Sequence, residues 1–291
     1  MTDPTAAVLS AFSSALADVV ARTRHTIVSV HSHRSQASGF VWKPGLIVTA
    51  DEALAEEGEV SVKLADGTAR PASIAGRDHT TDIALLRFDA RDIAPAVLSS
   101  VVPDLGSLSV VVAAEHGVAT AALGAVSLVG GRWRSLRGGE IDARIELDVR
   151  LRPSHEGGLV LNASGEAIGM AVRGVRRVLV IPGATIGRVA GRLETHGRIA
   201  RGYLGVGLQP IKLDHGVGAM VMSVDRSGPS AAAGIRQGDV IVGWNDEKLS
   251  GVRSLIRSLG PDSVGSVVDV AILRGGEPVR IKLTIGERAD A

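Results

Sequence analysis

Apolar residues along this chain gather in short runs separated by turn residues, the pattern of many short strands. The runs are His25–His31, Gly39–Trp42, Leu46–Thr49, Val60–Leu64, Ala69–Ile74, Ile83–Phe88, Ser107–Ala113, Ala119–Leu128, Glu140–Val149, Gly158–Leu161, Ala167–Val172 and Arg177–Ile181. Turns such as Ala65-Asp66-Gly67 and Asn162-Ala163-Ser164-Gly165 join them. About a dozen strands at this spacing predict an antiparallel barrel pair or sandwich, not a parallel sheet with helices between its strands.

Two stretches follow a helical period instead. In residues 1–24, Val8, Leu9, Phe12, Leu16, Val19 and Val20 recur at helical spacing with Thr5 as a candidate cap, which predicts an amphipathic helix. This segment lacks a basic start followed by an apolar stretch, so it is not read as a signal peptide, and no apolar run approaches the roughly 20 residues of a membrane span. From Pro182 to Ile199 the period runs through Ile186, Val189, Ala190 and Leu193, with His196-Gly197 as the stop. A second unit of about 90 residues then begins near Arg201, large enough for its own core. Its expected strands are Tyr203–Leu208, Ala219–Val224, Asp239–Trp244, Val267–Leu273 and Pro278–Ile285, with short helices at Ser230–Ala233 and Val252–Leu259. The organisation expected is a helix over 1–24, a β domain over 25–198 and a smaller α+β domain over 199–291.

Composition narrows the chemistry. Aromatic residues are only 2% of the 291, so the core has to be built from Val, Leu, Ile and Ala. A formal net charge of +1 points to neither nucleic acid nor an acidic membrane surface. The absence of cysteine excludes disulfides, thiolate catalysis and cysteine-based zinc sites.

Several motifs carry a family resemblance. They are Ala37-Ser38-Gly39-Phe40-Val41, Gly45-Leu46-Ile47-Val48-Thr49, Leu64-Ala65-Asp66-Gly67, and the run Gly76-Arg77-Asp78-His79-Thr80-Thr81-Asp82-Ile83-Ala84-Leu85-Leu86. Further on come Ser154-His155-Glu156-Gly157-Gly158, Gly165-Glu166-Ala167-Ile168-Gly169, Ile181-Pro182, His196-Gly197-Arg198 and Arg201-Gly202-Tyr203-Leu204-Gly205-Val206. In order and spacing, over about 250 residues, the chain resembles HtrA/Deg-type serine proteases with one C-terminal PDZ domain. The resemblance implies a mainly β fold: a chymotrypsin-like double six-stranded β-barrel over 25–198, followed by an α+β PDZ domain over 199–291.

The same resemblance assigns the catalytic triad positions. The family's histidine position holds Glu52, its aspartate is kept as Asp82, and its serine position, before the two glycines, holds Glu156. No intact catalytic residue set is therefore expected. A carboxylate does not replace the imidazole that takes and returns the serine proton, and Glu156 has no hydroxyl to attack a carbonyl. Ser154 also replaces a glycine two positions before the nucleophile, which should disturb the oxyanion-binding amides. Ser154 and His155 are neighbours on one loop and are expected to point apart rather than to form a new pair. His25, His31, His33 and His79 read as exposed turn or strand residues. If the barrels close, the three carboxylates should crowd together, with Arg150, Arg152 or Arg173 available to neutralise them. The simplest outcome is that Glu52 and Glu156 turn to water.

In the second domain, Tyr203, Leu204, Gly205 and Val206 match the PDZ carboxylate-binding loop, with Leu255, Ile256 and Leu259 as the opposite wall. The function expected is that of an inactive pseudoprotease binding peptides or proteins as scaffold, regulator or chaperone-like holder. The alternatives are a serine endopeptidase with a non-standard site and a structural oligomer subunit. Neither cofactor nor metal is expected. Expected partners are C-terminal or extended peptide segments and a homo-oligomer of three, with no nucleic acid and no membrane span. A natural start at Met1 would place the protein in the cytoplasm, whereas a removed signal peptide would place it in the periplasm or outside the cell.

Overall fold

The computed structural model describes residues 4–33, 35–56, 58–89, 93–174, 177–214 and 216–287. It divides into two compact units, Met1–Ile199 and Ala200–Ala291.

The first unit opens with α1 (Pro4–Thr23) and then builds two closed antiparallel barrels. The first barrel contains β1 (Ile27–Ser32), β2 (Ser35–Lys43), β3 (Leu46–Thr49), β4 (Val60–Lys63), β5 (Ala69–Asp78) and β6 (Ile83–Phe88), in the order β1-β2-β3-β6-β5-β4. The chain then forms β7 (Leu108–Glu115), β8 (Val118–Gly130), a small ribbon of β9 (Trp133–Arg134) and β10 (Glu140–Ile141), β11 (Arg144–Asp148), β12 (Leu159–Asn162), β13 (Ala167–Arg173) and β14 (Val178–Pro182). Without the β9–β10 ribbon these close as β11-β14-β13-β12-β7-β8. Helix α2 (Gly183–His196) ends the unit at Gly197, whose positive φ of 74° caps it.

Many barrel strands read as continuous apolar runs because both of their faces are buried. Val28, Val30, Val41, Ile47 and Leu86 fill the first barrel, and Val111, Ile145, Leu147, Val160 and Val180 fill the second. The alternate residues, among them Phe40, Val48, Ile83, Leu85, Val112, Leu159 and Met170, form a third core joined by Ile186, Val189 and Leu193 of α2. Burial at about 25 cal/mol per Å² makes this shared layer a main stabilising element. One expected strand divides. Glu140–Val149 breaks at Asp142, where the Asp142 amide bonds Thr185 Oγ1 (3.0 Å) and its carboxylate takes Thr185 Oγ1 (2.8 Å) and Arg188 (3.0 Å) from α2.

The N-terminal segment requires a correction. The helical stretch Thr5–Thr26 is 22 residues long and contains an 18-residue window with a mean hydropathy of 1.3, almost entirely uncovered. By length and composition it is long and apolar enough to cross a membrane. Small Ala and Ser residues interrupt its large apolar side chains, so the stretch holds no long unbroken run of them. Only Val19 of this helix is buried in the core, with Leu16 and Val20 packed partly against it.

The second unit has β15 (Gly202–Tyr203), β16 (Val206–Leu213), β17 (Gly216–Val224), α3 (Pro229–Ala232), β18 (Val240–Trp244), β19 (Glu247–Lys248), α4 (Val252–Ser258), β20 (Val267–Arg274), β21 (Glu277–Thr284) and β22 (Gly286–Glu287). The main sheet runs β16-β17-β18-β20-β21, with β19 paired to β18, and β15 pairs separately with β22. The expected strand Tyr203–Leu208 is thus two strands, broken by the turn at Gly205 (φ 73°). Strand β16 lies at the edge of its sheet.

Candidate functional site

Three chain segments bring carboxylates together where the barrels meet. Glu52 follows β3, Asp82 immediately precedes β6, and Glu156 follows a 3-10 turn at Pro153–His155, just before β12. One oxygen from each lies within 4.8 Å of the others. The Glu52 amide donates to Asp82 Oδ1 at 2.7 Å, and Asp82 holds a left-handed backbone with φ 57°. Burial, and then the Glu52, Glu156 and Asp51 charges, push the Asp82 carboxyl up to about 7 against the opposing Glu52 amide bond. Burial also raises Glu156, opposed by Arg173.

Two guanidinium groups balance the cluster. Arg137 meets Glu52 at 3.0 Å and Arg173 meets Glu156 at 3.7 Å. Arg173 was among the sequence candidates, whereas Arg137 was not. Its position comes from the β9–β10 ribbon folding back, where Ser135 Oγ donates to Thr80 O (2.6 Å) and Arg137 donates to His79 O (3.2 Å). No local motif announces that fold-back. The expectation that both glutamates turn to water fails for Glu156, whose side chain is only 12% exposed.

Behind the cluster, Asp51 is fully buried and holds two partners. Arg77 Nε and His79 Nδ1 each reach its carboxylate at 2.5 Å. Arg77 also donates to the carbonyls of Asp51, Leu54 and Ala55, which shapes the segment after β3. The His79 ring is solvent-exposed as expected, yet one nitrogen is taken. His31 departs from the exposed reading: it is half-buried and stacked on His116 at 6.0 Å between ring centres.

The loop before Glu156 is closed on itself. His155 N donates to Arg152 O (3.0 Å) and Glu156 N to Pro153 O (3.2 Å), forming the 3-10 turn. The backbone amide at the nucleophile position is therefore committed to a neighbouring carbonyl. Ser154 and His155 are both buried, and neither ring nitrogen of His155 has a hydrogen-bond partner among the described residues. They do not form a serine–imidazole pair. Gly157, at φ 82°, packs so tightly that a Cβ would meet Ser38 O at 2.1 Å.

In the second unit, the amides of Leu204 and Gly205 donate to no backbone carbonyl among the described residues, while their carbonyls accept from Ser230 (2.9 Å) and Asp225 (2.8 Å). Tyr203 OH donates to Asp225 Oδ2 at 3.1 Å. Val206 begins the edge strand β16, and Val206 and Leu259 are half-buried. Ile256 on α4 is 58% exposed. Leu204 and Leu255 lie deeper, within the core of this unit. An open strand edge, a turn with unpaired amides and an uncovered apolar side chain are what a peptide adding as a strand would use.

Comparison with known proteins fits this architecture. Residues 37–170 match the trypsin-like peptidase domain model and residues 202–285 match the PDZ domain model. A probable periplasmic serine endoprotease DegP-like protein of Pseudomonas fluorescens is 29% identical over 272 residues, covering 87% of this chain and 56% of the relative. A protein of the same description from Chlamydia trachomatis is 29% identical with the same coverages. The chain thus spans little more than half the length of these curated relatives. Among solved structures, the serine endoprotease from Yersinia pestis superposes with a TM-score of 0.75 at 24% identity, covering 94% of this chain and 98% of that one. The HtrA-type protease AlgW with a decapeptide gives 0.75 at 22% identity, covering 94% and 99%.

Proposed function

We propose that this chain, which belongs to the HtrA/Deg-type family of PDZ-containing trypsin-like proteins, binds peptides through its PDZ domain and has lost serine-protease chemistry. The observation that carries this reading is the pair Glu52 and Glu156 in the base and nucleophile positions. Acyl transfer needs a hydroxyl whose proton an imidazole takes and later returns to the leaving amine. Neither group is present there. The retained Asp82 ordinarily orients that imidazole, and here it faces two other carboxylates. The committed Glu156 amide further supports the reading, because a tetrahedral intermediate would find that donor already bonded. Loss of base and nucleophile together costs about as much as loss of either alone, so two changes leave little residual activity.

The ligand class proposed is a chain ending in an apolar residue with a free carboxylate. The Leu204 and Gly205 amides would receive the carboxylate, and the edge of β16 would pair with the ligand backbone. Periplasmic placement is proposed from the relatives' descriptions and from the apolar Thr5–Thr26 helix, and nothing supports the cytoplasmic alternative. A trimeric assembly is proposed from the family resemblance alone.

A second reading, a working serine endopeptidase, is favoured by the names of the relatives. One experiment separates the two. The full chain is incubated with casein and with a fluorophosphonate probe, and peptide binding is followed by calorimetry. Binding without cleavage or labelling supports the proposal. Cleavage or labelling that disappears in Ser154→Ala overturns it in favour of the endopeptidase.

A further inference from the structure

We propose that the seam between the two barrels carries an acid-sensitive latch, formed by His31 of β1 and His116 at the β7–β8 hairpin tip. The turn His116-Gly117 has φ of 53° and 85°, the signature of a two-residue type I′ hairpin. Asparagine usually fills the first of these positions, and histidine is among the few other side chains enriched in this left-handed region. The tip is seated on the first barrel, where Gly117 N donates to Ser29 Oγ at 2.8 Å. Three residues earlier, Ala114 N donates to Ser38 Oγ (2.8 Å), and Ser38 Oγ donates to Ser154 O (2.6 Å). Ser38 N donates to Glu156 O (2.8 Å). The same seam therefore pins the hairpin tip and the turn that carries Glu156.

At this seam the two imidazoles stack with ring centres 6.0 Å apart. Burial, then His116, then Lys63 of β4 hold His31 below the usual histidine range. Its cross-strand partners, Gln36 on β2 and Ser61 on β4, are uncharged. Glu115, the carboxylate beside His116, acts on His155 of the nucleophile-position turn. His33 follows at the end of β1. Proton uptake by the half-buried His31 thus places a cation against the exposed His116 and against Lys63, with no carboxylate bonded to His31 among the described residues. A group whose pKa is depressed by folding stabilises the fold above its unfolded value, near 6.5, and this support is lost as pH falls below it. Acid would lift the hairpin tip and release the turn at Pro153–His155.

The test uses the full chain. Imidazole titration by NMR should show the His31 midpoint rising towards 6.5 in His116→Asn, which suits the left-handed turn and should keep the fold. Lys63→Met gives a second arm and should move the midpoint the same way. Urea unfolding of the first domain should show a smaller loss of stability between pH 7.5 and 5.5 in His31→Gln/His116→Asn than in the wild type. An unmoved His31 midpoint in both single variants, or equal acid losses in wild type and double variant, overturns the latch.

Discussion

The backbone amide of Glu52 donates to the Asp82 carboxylate at 2.7 Å. The residue in the base position thus engages the retained triad acid through its main chain, while its side chain turns to Arg137 at 3.0 Å. An imidazole at that position would need the Asp82 carboxylate for its own ring nitrogen. Here the Asp82 carboxylate has an amide partner and two carboxylate neighbours.

Restoring the missing residues should therefore not restore proteolysis. Glu52→His/Glu156→Ser is expected to stay at background on casein, because the amide at position 156 remains bonded to Pro153 O (3.2 Å). Ser154→Gly added to that pair, which frees the loop from a side chain two positions before the nucleophile, should be the first combination to show labelling by a fluorophosphonate. Robust cleavage by the double variant alone would show the oxyanion amides to be available after all.

Asp82 should leave a mark on the pH dependence of stability. Its carboxyl is raised to about 7 in the folded chain, against about 3.9 when unfolded. The contribution is complete below about pH 4 and is lost as pH rises through 7. Asp82→Asn keeps an oxygen for the Glu52 amide and removes the titration. Relative to this variant, the wild type should lose stability between pH 4 and 8 by up to about 4 kcal/mol. Urea unfolding curves across that range check it, and parallel curves would count against a proton on Asp82.

The Asp51–Arg77 pair should be structural. Asp51 is buried and Arg77 holds three carbonyls of the following segment as well as the carboxylate. Arg77→Met leaves the buried Asp51 carboxylate with His79 alone and frees three carbonyls, and should destabilise the first domain by up to about 3 kcal/mol. Calorimetric melting of the first domain reads the effect, and a change below about 1 kcal/mol would mean the pair is dispensable.

In the PDZ unit, amidating the C-terminus of a bound peptide should weaken binding at least tenfold, from a micromolar scale of about −8 kcal/mol. Gly205→Val should have a similar effect, because φ is 73° and a Cβ would meet Gly228 Cα at 3.0 Å. Ile256→Lys should weaken binding while leaving the fold intact, since Ile256 is exposed. Leu204→Lys, by contrast, should unfold the unit, since Leu204 belongs to its core. Calorimetry with free and amidated peptides, alongside circular dichroism of each variant, separates lost binding from lost fold.

Much of this molecule was legible in the chain because its information is local. Short apolar runs and turn residues announced the strands, and the order of motifs from Ala37 to Val206 announced the double barrel and the PDZ unit. The glutamates at positions 52 and 156 were visible as residues in known places. Other features depend on groups far apart in sequence. Arg137 reaches Glu52 only because the β9–β10 ribbon folds back onto Thr80. His116 meets His31 only because a hairpin tip of the second barrel rests on the first. Leu204 looked like a pocket residue in its motif, but packing drew it into the core. The run Glu140–Val149 looked like one strand until Thr185 and Arg188 of α2 claimed Asp142. Residue type and spacing set which elements form, while burial and charge pairing between distant segments decide which side chains meet, and only tertiary closure supplies those partners.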